Sequence, residues 1–239
     1  MITWLPDPPE QGETPALSEN NIEHIAAAAA AVQNLLLAGE ARLAYALCRP
    51  PGHHAGRDFM GGYCYLNNAA VAAAHLAAAW GRVGLLDVDY HHGNGTQDIF
   101  WDDPQVFFGS IHAAPGVDYP YYSGYADETG GPTAPGGIAN VPLGSGTTSA
   151  DYLAALDGLL ARCADFGAAA LVVSLGFDAY AGDPMSIFDV QPETYTAIGE
   201  RLAGLGVPVL LVQEGGYQVE ALGRLAGHLL AGLGSAQAR

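Results

Sequence analysis

Short apolar runs that end in carboxylates are the feature that most constrains how this chain folds. Residues 83–86 are apolar and lead into Asp87 and Asp89, and residues 170–175 lead through a glycine into Asp178. Both runs predict buried strands of a parallel sheet. Functional groups in open α/β sheets gather at the carboxyl ends of the strands, so we expect these acids to meet at one edge.

The rest of the chain alternates strands with helices. We predict strands over residues 43–48, 83–88, 105–111, 170–175 and 208–213, and helices over residues 18–37, 65–80, 149–166, 192–205 and 219–233. Residues 113–146, rich in Gly, Pro and Tyr, have no sustained period and predict a long functional loop. We expect one α/β domain over residues 1–239, with a loose lead-in over residues 1–17 and a mostly parallel sheet flanked by helices.

The chain is strongly acidic. Its 239 residues include 8 Lys and Arg against 25 Asp and Glu, for a net charge of −17. This charge disfavours binding to nucleic acid or to an anionic membrane, and it favours a cationic small molecule. Three cysteines without metal-site spacing and the lack of a signal pattern predict a cytoplasmic protein with reduced thiols.

The spacing of Asp89 and His91 suggests a shared ligand. On an extended segment both side chains project to the same side, and Asp87 has the same parity. Buried carboxylates need a partner, and a cation could serve all of them. Asp89, His91 and Asp178 together predict a metal site of two carboxylates and one imidazole that leaves a position open for water. The alternative is a turn in which these residues cap the following helix.

Two further motifs carry groups suited to catalysis. His53 and His54 stand in a loop that prolines and glycines make rigid. Imidazole is the usual general base near neutral pH, and Asp87 and Asn94 are candidates to orient these rings. Tyr217 follows two glycines at a strand end, where its hydroxyl could stabilise an oxyanion. The alternatives are a histidine pair that only caps or packs and a tyrosine that only follows a turn.

Taken together, these motifs resemble the histone deacetylase-like zinc amidohydrolases of the arginase–deacetylase superfamily. The signature segments occur in the family's order, at residues 49–55, 62–68, 87–95, 110–112, 174–184 and 214–217. Residues 119–128 look most like acetylpolyamine amidohydrolases. The resemblance implies the three-layer arginase/deacetylase fold, a single domain around a parallel sheet.

The resemblance also implies metal sites. Zinc would bind Asp89, His91 and Asp178, although carboxylate ligands also suit iron or manganese. A structural potassium ion is implied as well, at Asp87, Ser110 and the backbones of Asp89, His91 and Ile111.

For catalysis, the resemblance implies that His53 and His54 flank the metal-activated water, with Asp87 behind His53 and Asn94 behind His54. Tyr217 would polarise the substrate carbonyl. The acyl-lysine tunnel would be lined by Gly62 and Tyr63.

The implied function is the removal of an acetyl group from a cationic amine, either an acetylpolyamine or an acetyl-lysine side chain. The alternatives are a broad small-amide hydrolase and a non-catalytic binder of acyl-lysine or polyamine. An arginase-like ureohydrolase is disfavoured, because the ligand stretches for a two-manganese site are not all present. Family members usually carry a longer section before the equivalent of Arg49. We therefore expect either an open pocket rim or a rim completed by another subunit, and we favour a homo-oligomer.

Overall fold

The computed structural model describes residues 36–39 and 41–237. Its strands are β1 (Leu43–Ala46), β2 (Val83–Asp87), β3 (Val106–Ala113), β4 (Ile138–Leu143), β5 (Ala170–Leu175) and β6 (Val209–Gln213). Its helices are α1 (Asn68–Trp80), α2 (Asn94–Phe100), α3 (Ser149–Phe166), α4 (Thr194–Gly204) and α5 (Val219–Gln237). The predicted lead-in and the predicted helix up to residue 35 lie outside the described residues.

All six strands pair in parallel, in the order β1-β6-β5-β2-β3-β4. Side chains of β5 alternate between two cores: Leu171 and Val173 pack in the cluster that contains α3, α4 and α5, whereas Ala170 and Val172 pack in the cluster that contains α1. A sheet with a helical layer on each face confirms the predicted three-layer α/β fold.

The strand register brings the carboxyl ends of the central strands to one edge. Asp87 at the end of β2 is paired with Ser110 of β3 on one side and with Ser174 of β5 on the other. Ser174 is in turn paired with Val212 of β6. The segments that follow β2, β5 and β6 therefore leave the sheet side by side, as the strand-end argument predicts.

Local capping explains where the helices begin and end. The Asn67 side chain accepts a hydrogen bond from the Ala70 N–H at 2.9 Å, so α1 begins at Asn68 and the predicted start at residue 65 is wrong. The predicted bounds of α3 are confirmed: Thr148 forms a capping box with Asp151. The last helix was predicted to end at residue 233, but α5 continues to Gln237, because a glycine lowers helix propensity without forbidding the helix.

Two elements were missed. The predicted loop over residues 113–146 contains β4, whose pattern is interrupted by Asn140 and Pro142. Since β4 forms one edge of the described sheet, the missing N–H of Pro142 costs no pairing on the outer side. Helix α2 was also missed, because it has only 7 residues and lacks an apolar period. The other predicted strands are confirmed to within 2 residues at each end. None of the described helices combines the length and apolarity that a membrane span requires.

Candidate active site

Three loops meet at the carboxyl edge of the sheet, and side-chain carboxylates tie them together. The loop after β2 is fixed because the Tyr90 N–H donates to Asp178 Oδ1 at 2.9 Å and the His91 N–H donates to Asp89 Oδ1 at 2.9 Å. The loop after β6 joins them because the Gly215 N–H donates to Asp89 Oδ2 at 2.8 Å. Each carboxylate therefore has a fixed orientation before any ligand binds.

The predicted metal ligands converge. One ligand atom each from Asp89, His91 and Asp178 lies within 4.8 Å of the others. His91 Nδ1 is 3.3 Å from Asp89 Oδ1 and 3.1 Å from Asp178 Oδ2. All three side chains are buried, and among the described residues only histidines form ion pairs with the two carboxylates. A single imidazole nitrogen cannot donate one proton fully to both oxygens, so the cluster suits a cation.

The pKa shifts describe the same crowding of charge. Burial, followed by the charge of Asp89, raises the pKa of Asp178 to about 6. Burial opposes protonation of His91, but the carboxylates of Asp178 and Asp89 outweigh it and raise the pKa of His91 to about 11. Two oxygen donors and one imidazole in a buried site fit zinc, and they also suit iron or manganese. The donor chemistry therefore fits the implied metal.

A buried acid anchors the loop that carries the tandem histidines. Glu214, which follows β6, accepts hydrogen bonds from the Gly52 N–H at 2.6 Å and the His53 N–H at 3.1 Å. The Ser174 hydroxyl donates to the other carboxylate oxygen at 3.3 Å. Burial raises the pKa of Glu214 to about 7. This carboxylate fixes the backbone of the histidine loop against the strand ends.

The rings of the tandem histidines contact the predicted orienting groups. His53 Nδ1 is 3.0 Å from Asp87 Oδ2, and His54 Nδ1 is 2.7 Å from Asn94 Oδ1. The ring centroids of the two histidines are 4.0 Å apart. Both predicted pairings are therefore present, and each leaves the Nε2 atom of its ring for other partners.

The pKa values of the two imidazoles are shifted in opposite directions. Burial opposes the charged form of His53, but the carboxylates of Asp89 and Asp87 outweigh it and raise the pKa of His53 to about 10. Burial, reinforced by the charge of His53, lowers the pKa of His54 well below its usual value. His54 is therefore the neutral member of the pair. A bound dication would oppose the effect of Asp89 on His53.

Tyr217 lies beside the candidate metal ligands. Its ring centroid is 6.4 Å from that of His91, and its side chain is 38% exposed. Its backbone N–H donates to Asp183 Oδ2 at 2.7 Å. A Cβ on Gly215 would approach carboxylate oxygens of Asp89 and Asp178 to 2.6 Å, so this loop needs glycine to pass so close to the site.

The predicted tunnel residues border the histidine pair. A Cβ on Gly62 would overlap the His54 ring, so the backbone reaches the imidazole there. Tyr63 is 73% exposed and has a φ of 65°. Tyr119, which was not predicted, packs its ring at right angles to His54 with 4.8 Å between centroids. Gly62 and Tyr119 therefore lie against the His54 ring, and Tyr63 is the exposed neighbour of Gly62.

The residues of the predicted potassium site are adjacent in the sheet. Asp87 and Ser110 are register partners on β2 and β3, and both are fully buried. Asp87 Oδ1 accepts the Asp89 N–H at 3.1 Å. The Ser110 hydroxyl lies 2.8 Å from His112 Nδ1. Ile111 follows Ser110 on β3 and is buried as well.

A second group of possible ligands consists of His53, Cys64 and Glu214, which also offer atoms within 4.8 Å of one another. Burial raises the pKa of the Cys64 thiol well above its usual value, so the sulfur stays protonated. Glu214 already accepts two backbone N–H groups. We therefore interpret this group as a structural contact that holds the histidine loop, and not as a metal site.

Sequence reasoning missed several residues that shape the site. Glu214 and Asp183 both lie in the signature segments, but neither was assigned a role. The only signal for Glu214 was an acidic residue directly before a pair of glycines at a strand end. The link from Asn94 Nδ2 to the Tyr122 hydroxyl at 2.8 Å could not be read from spacing, because the two residues are 28 positions apart. A cavity of about 560 Å³ lies beside this link, and none of the candidate metal ligands line it.

Comparison with known proteins agrees with this geometry. The model of the histone deacetylase domain matches residues 12–233. Acetylpolyamine amidohydrolase 1 of Pseudomonas aeruginosa is 54% identical over 193 residues, which are 80% of this chain and 56% of that protein. The polyamine deacetylase HDAC10 of Mus musculus is 39% identical over 205 residues, which are 82% of this chain and 31% of that protein.

A solved structure is similar as well. The crystal structure of acetylpolyamine aminohydrolase from Burkholderia pseudomallei has a TM-score of 0.85 at 42% identity, and the match covers 90% of this chain and 62% of that chain. The chain thus spans little more than half the length of its bacterial relatives. The resemblance predicted from the sequence motifs is confirmed: the chain belongs to the histone deacetylase domain family.

Proposed function

We propose that the protein is a zinc-dependent amidohydrolase that removes an acetyl group from a cationic amine, either an acetylated polyamine or an acetyl-lysine side chain. The observation that carries this proposal is the buried cluster of Asp89, His91 and Asp178 beside two histidines with different protonation preferences. The names of the relatives, acetylpolyamine amidohydrolase and polyamine deacetylase, support the same substrate class.

Asp89, His91 and Asp178 would hold the zinc ion. Two buried carboxylates stabilise a dication, and their backbone hydrogen bonds keep them in place. When bound, zinc supplies a Lewis acid that polarises the amide carbonyl and lowers the pKa of water.

The tandem histidines would move the protons. His54 is neutral, and with its Nδ1 engaged by Asn94 its Nε2 is free to accept a proton from the attacking water. His53 is held by Asp87 in a form that favours the imidazolium. A proton from this pair then goes to the leaving amine, which departs as a neutral group.

Tyr217 would stabilise the charge that develops on the carbonyl oxygen. Burial and, to a smaller extent, the charges of Asp89 and Asp178 raise the pKa of its phenol. The hydroxyl therefore keeps its proton at neutral pH. A protonated hydroxyl at this position can donate a hydrogen bond to an oxyanion.

Substrate selection would come from the entrance and from charge. Gly62 and Tyr63 would line the passage to His54, since the Gly62 backbone abuts the imidazole. The net charge of −17 raises the local concentration of cations, which favours an acetylated amine that carries further positive charge.

We propose two further properties. Asp87, Ser110 and the backbone of Ile111 would hold a structural potassium ion, because they provide buried oxygen atoms at adjacent strand positions. The protein would work in the cytoplasm, where its three buried cysteines would remain reduced.

A substrate panel tests the proposal. The purified protein is assayed for amine release with mono-acetylated diamines and polyamines, acetyl-lysine peptides and a neutral acetamide. We expect hydrolysis of the cationic acetamides above the neutral one. Equal turnover of all amides would favour a broad small-amide hydrolase. Tight binding of acetylated amines without any amine release would favour a non-catalytic binder.

A further inference from the structure

A chain of two hydrogen bonds leads from the proposed general base to the protein surface. His54 Nδ1 is 2.7 Å from Asn94 Oδ1, and Asn94 Nδ2 donates to the Tyr122 hydroxyl at 2.8 Å. His54 and Asn94 are buried, whereas Tyr122 is 65% exposed. Among the described side chains, the Asn94 amide therefore has two hydrogen-bond partners: His54 and the surface residue Tyr122.

The orientation of the Asn94 amide decides which nitrogen of neutral His54 carries the proton. With Oδ1 towards the ring, the amide accepts, and the proton must be on Nδ1. If the amide turned over, its Nδ2 would donate to the ring, and the proton would move to Nε2. That second form cannot accept a proton from water at Nε2. An amide can adopt either orientation, whereas a carboxylate accepts through both oxygens.

The surroundings of Tyr122 favour the productive orientation. Asn94, Asp98 and Tyr122 line the same cavity of about 560 Å³. Burial, followed by the charge of Asp98, raises the pKa of the Tyr122 phenol, so the hydroxyl keeps its proton. The negative charge of Asp98 attracts the O–H dipole, which leaves an oxygen lone pair for the Asn94 Nδ2 donor.

We propose that Tyr122 is a positioning residue: by accepting from Asn94 Nδ2, it keeps the Asn94 oxygen towards His54 and so keeps a proton on His54 Nδ1. The effect on turnover rests on the proposed amide hydrolysis. The effect on the imidazole does not, because it concerns the resting protein. Tyr122 thus acts on the reaction through Asn94.

The test compares Tyr122→Phe with the wild type. The variant keeps the exposed ring and should fold. We expect kcat to fall about three- to tenfold, the size of one neutral hydrogen bond. In proteins labelled with ¹⁵N-histidine, long-range NMR should show His54 losing its Nδ1–H form in favour of the Nε2–H form. The His54 signals are assigned by their absence from His54→Ala. Tyr121→Phe is the control, since the Tyr121 hydroxyl makes no hydrogen bond with the described residues and both readouts should stay unchanged.

A second background separates positioning from other roles. In Asn94→Asp, a carboxylate accepts from His54 Nδ1 whichever oxygen faces the ring. Adding Tyr122→Phe to Asn94→Asp should therefore change neither kcat nor the His54 signals. An equal loss in both backgrounds would overturn the proposal, because it would mean direct substrate contact or general support of the fold. An unchanged His54 tautomer in Tyr122→Phe would overturn it as well. If the wild type hydrolysed no acetylated amine, the proposed function would fall, and the NMR comparison would still decide the role of Tyr122.

Discussion

At the scale of single residues, the site depends on buried charges that satisfy one another. Asp87, Asp89 and Asp178 are fully buried, and burying an ionised carboxylate is costly unless it is paired and hydrogen-bonded. Backbone N–H groups and the imidazoles of His53 and His91 supply part of this compensation. A cation would supply the rest, which is why these residues are better explained by chemistry than by stability.

Tyr217→Phe separates the proposed oxyanion donor from the metal ligands. Removing the hydroxyl should lower kcat by roughly a hundredfold or more, as the loss of one oxyanion donor does, while the zinc content stays at the wild-type level. The measurement is steady-state kinetics together with metal analysis of the same preparation. Wild-type turnover in this variant would mean that Tyr217 only packs.

At the scale of elements, two buried acids hold loops from different parts of the chain in one arrangement. Asp183 Oδ2 accepts the N–H groups of Tyr217 and Gln218, at 2.7 and 2.9 Å. Glu214 accepts the N–H groups of Gly52 and His53. The first acid sets the position of the proposed oxyanion donor, and the second sets the position of the histidine pair.

Asp183→Asn should weaken the placement of Tyr217. The other oxygen, Asp183 Oδ1, accepts the Met185 N–H at 3.0 Å. In the variant the amide nitrogen would face one of these N–H donors, so the free energy of unfolding should fall by about 1–3 kcal/mol. Turnover should fall in the wild-type background but not further in Tyr217→Phe, because the proposed effect passes through that hydroxyl. Denaturant unfolding and a double-mutant cycle measure both quantities. A further loss of turnover in the Tyr217→Phe background would point to a different role.

Glu214→Ala should destabilise the protein by roughly 2–5 kcal/mol, because two buried N–H groups lose their acceptor. Glu214→Gln is the matched control, since its amide oxygen can still accept both hydrogen bonds, and its loss should be much smaller. Equal losses in the two variants would show that the charge of Glu214 matters more than its acceptor geometry.

The sequence predicted those parts of the fold and site that depend on local pattern. Short apolar runs predicted five of the strands, and the parity of Asp89 and His91 predicted that they lie together. Edge strand β4 was not predictable, since Pro142 contradicts a strand pattern until the position at a sheet edge is known. The roles of Asp183 and Glu214 depend on hydrogen bonds across 34 and 162 positions. Such contacts depend on the tertiary fold, and no local sequence pattern predicts them.

At the scale of the whole molecule, net charge affects which substrates bind, and the sheet edges affect association with other chains. The net charge of −17 predicts that kcat/KM for a cationic acetamide falls as sodium chloride increases at constant potassium, because screening removes the attraction. The same parameter for a neutral acetamide should stay constant. If kcat/KM did not change with salt for either substrate, the net charge would not contribute to substrate specificity.

We also expect a homo-oligomer. The four-residue strand β1 forms one edge of the described sheet, and an exposed edge favours pairing or cover by another chain. Light scattering of the purified protein measures its solution mass. A mass that corresponds to a single chain at all concentrations would contradict this expectation.

The strictest test of the proposed zinc site is the zinc content of Asp178→Asn, measured beside its release of amine from acetylated amines. Asp157→Asn is the control, because that carboxylate lies on the surface and pairs only with Arg201 among the described residues. We expect a single zinc ion per chain and full activity in the wild type and in Asp157→Asn. We expect the loss of both in Asp178→Asn, where a neutral amide replaces an anionic ligand. Wild-type zinc content and wild-type activity in Asp178→Asn would contradict it.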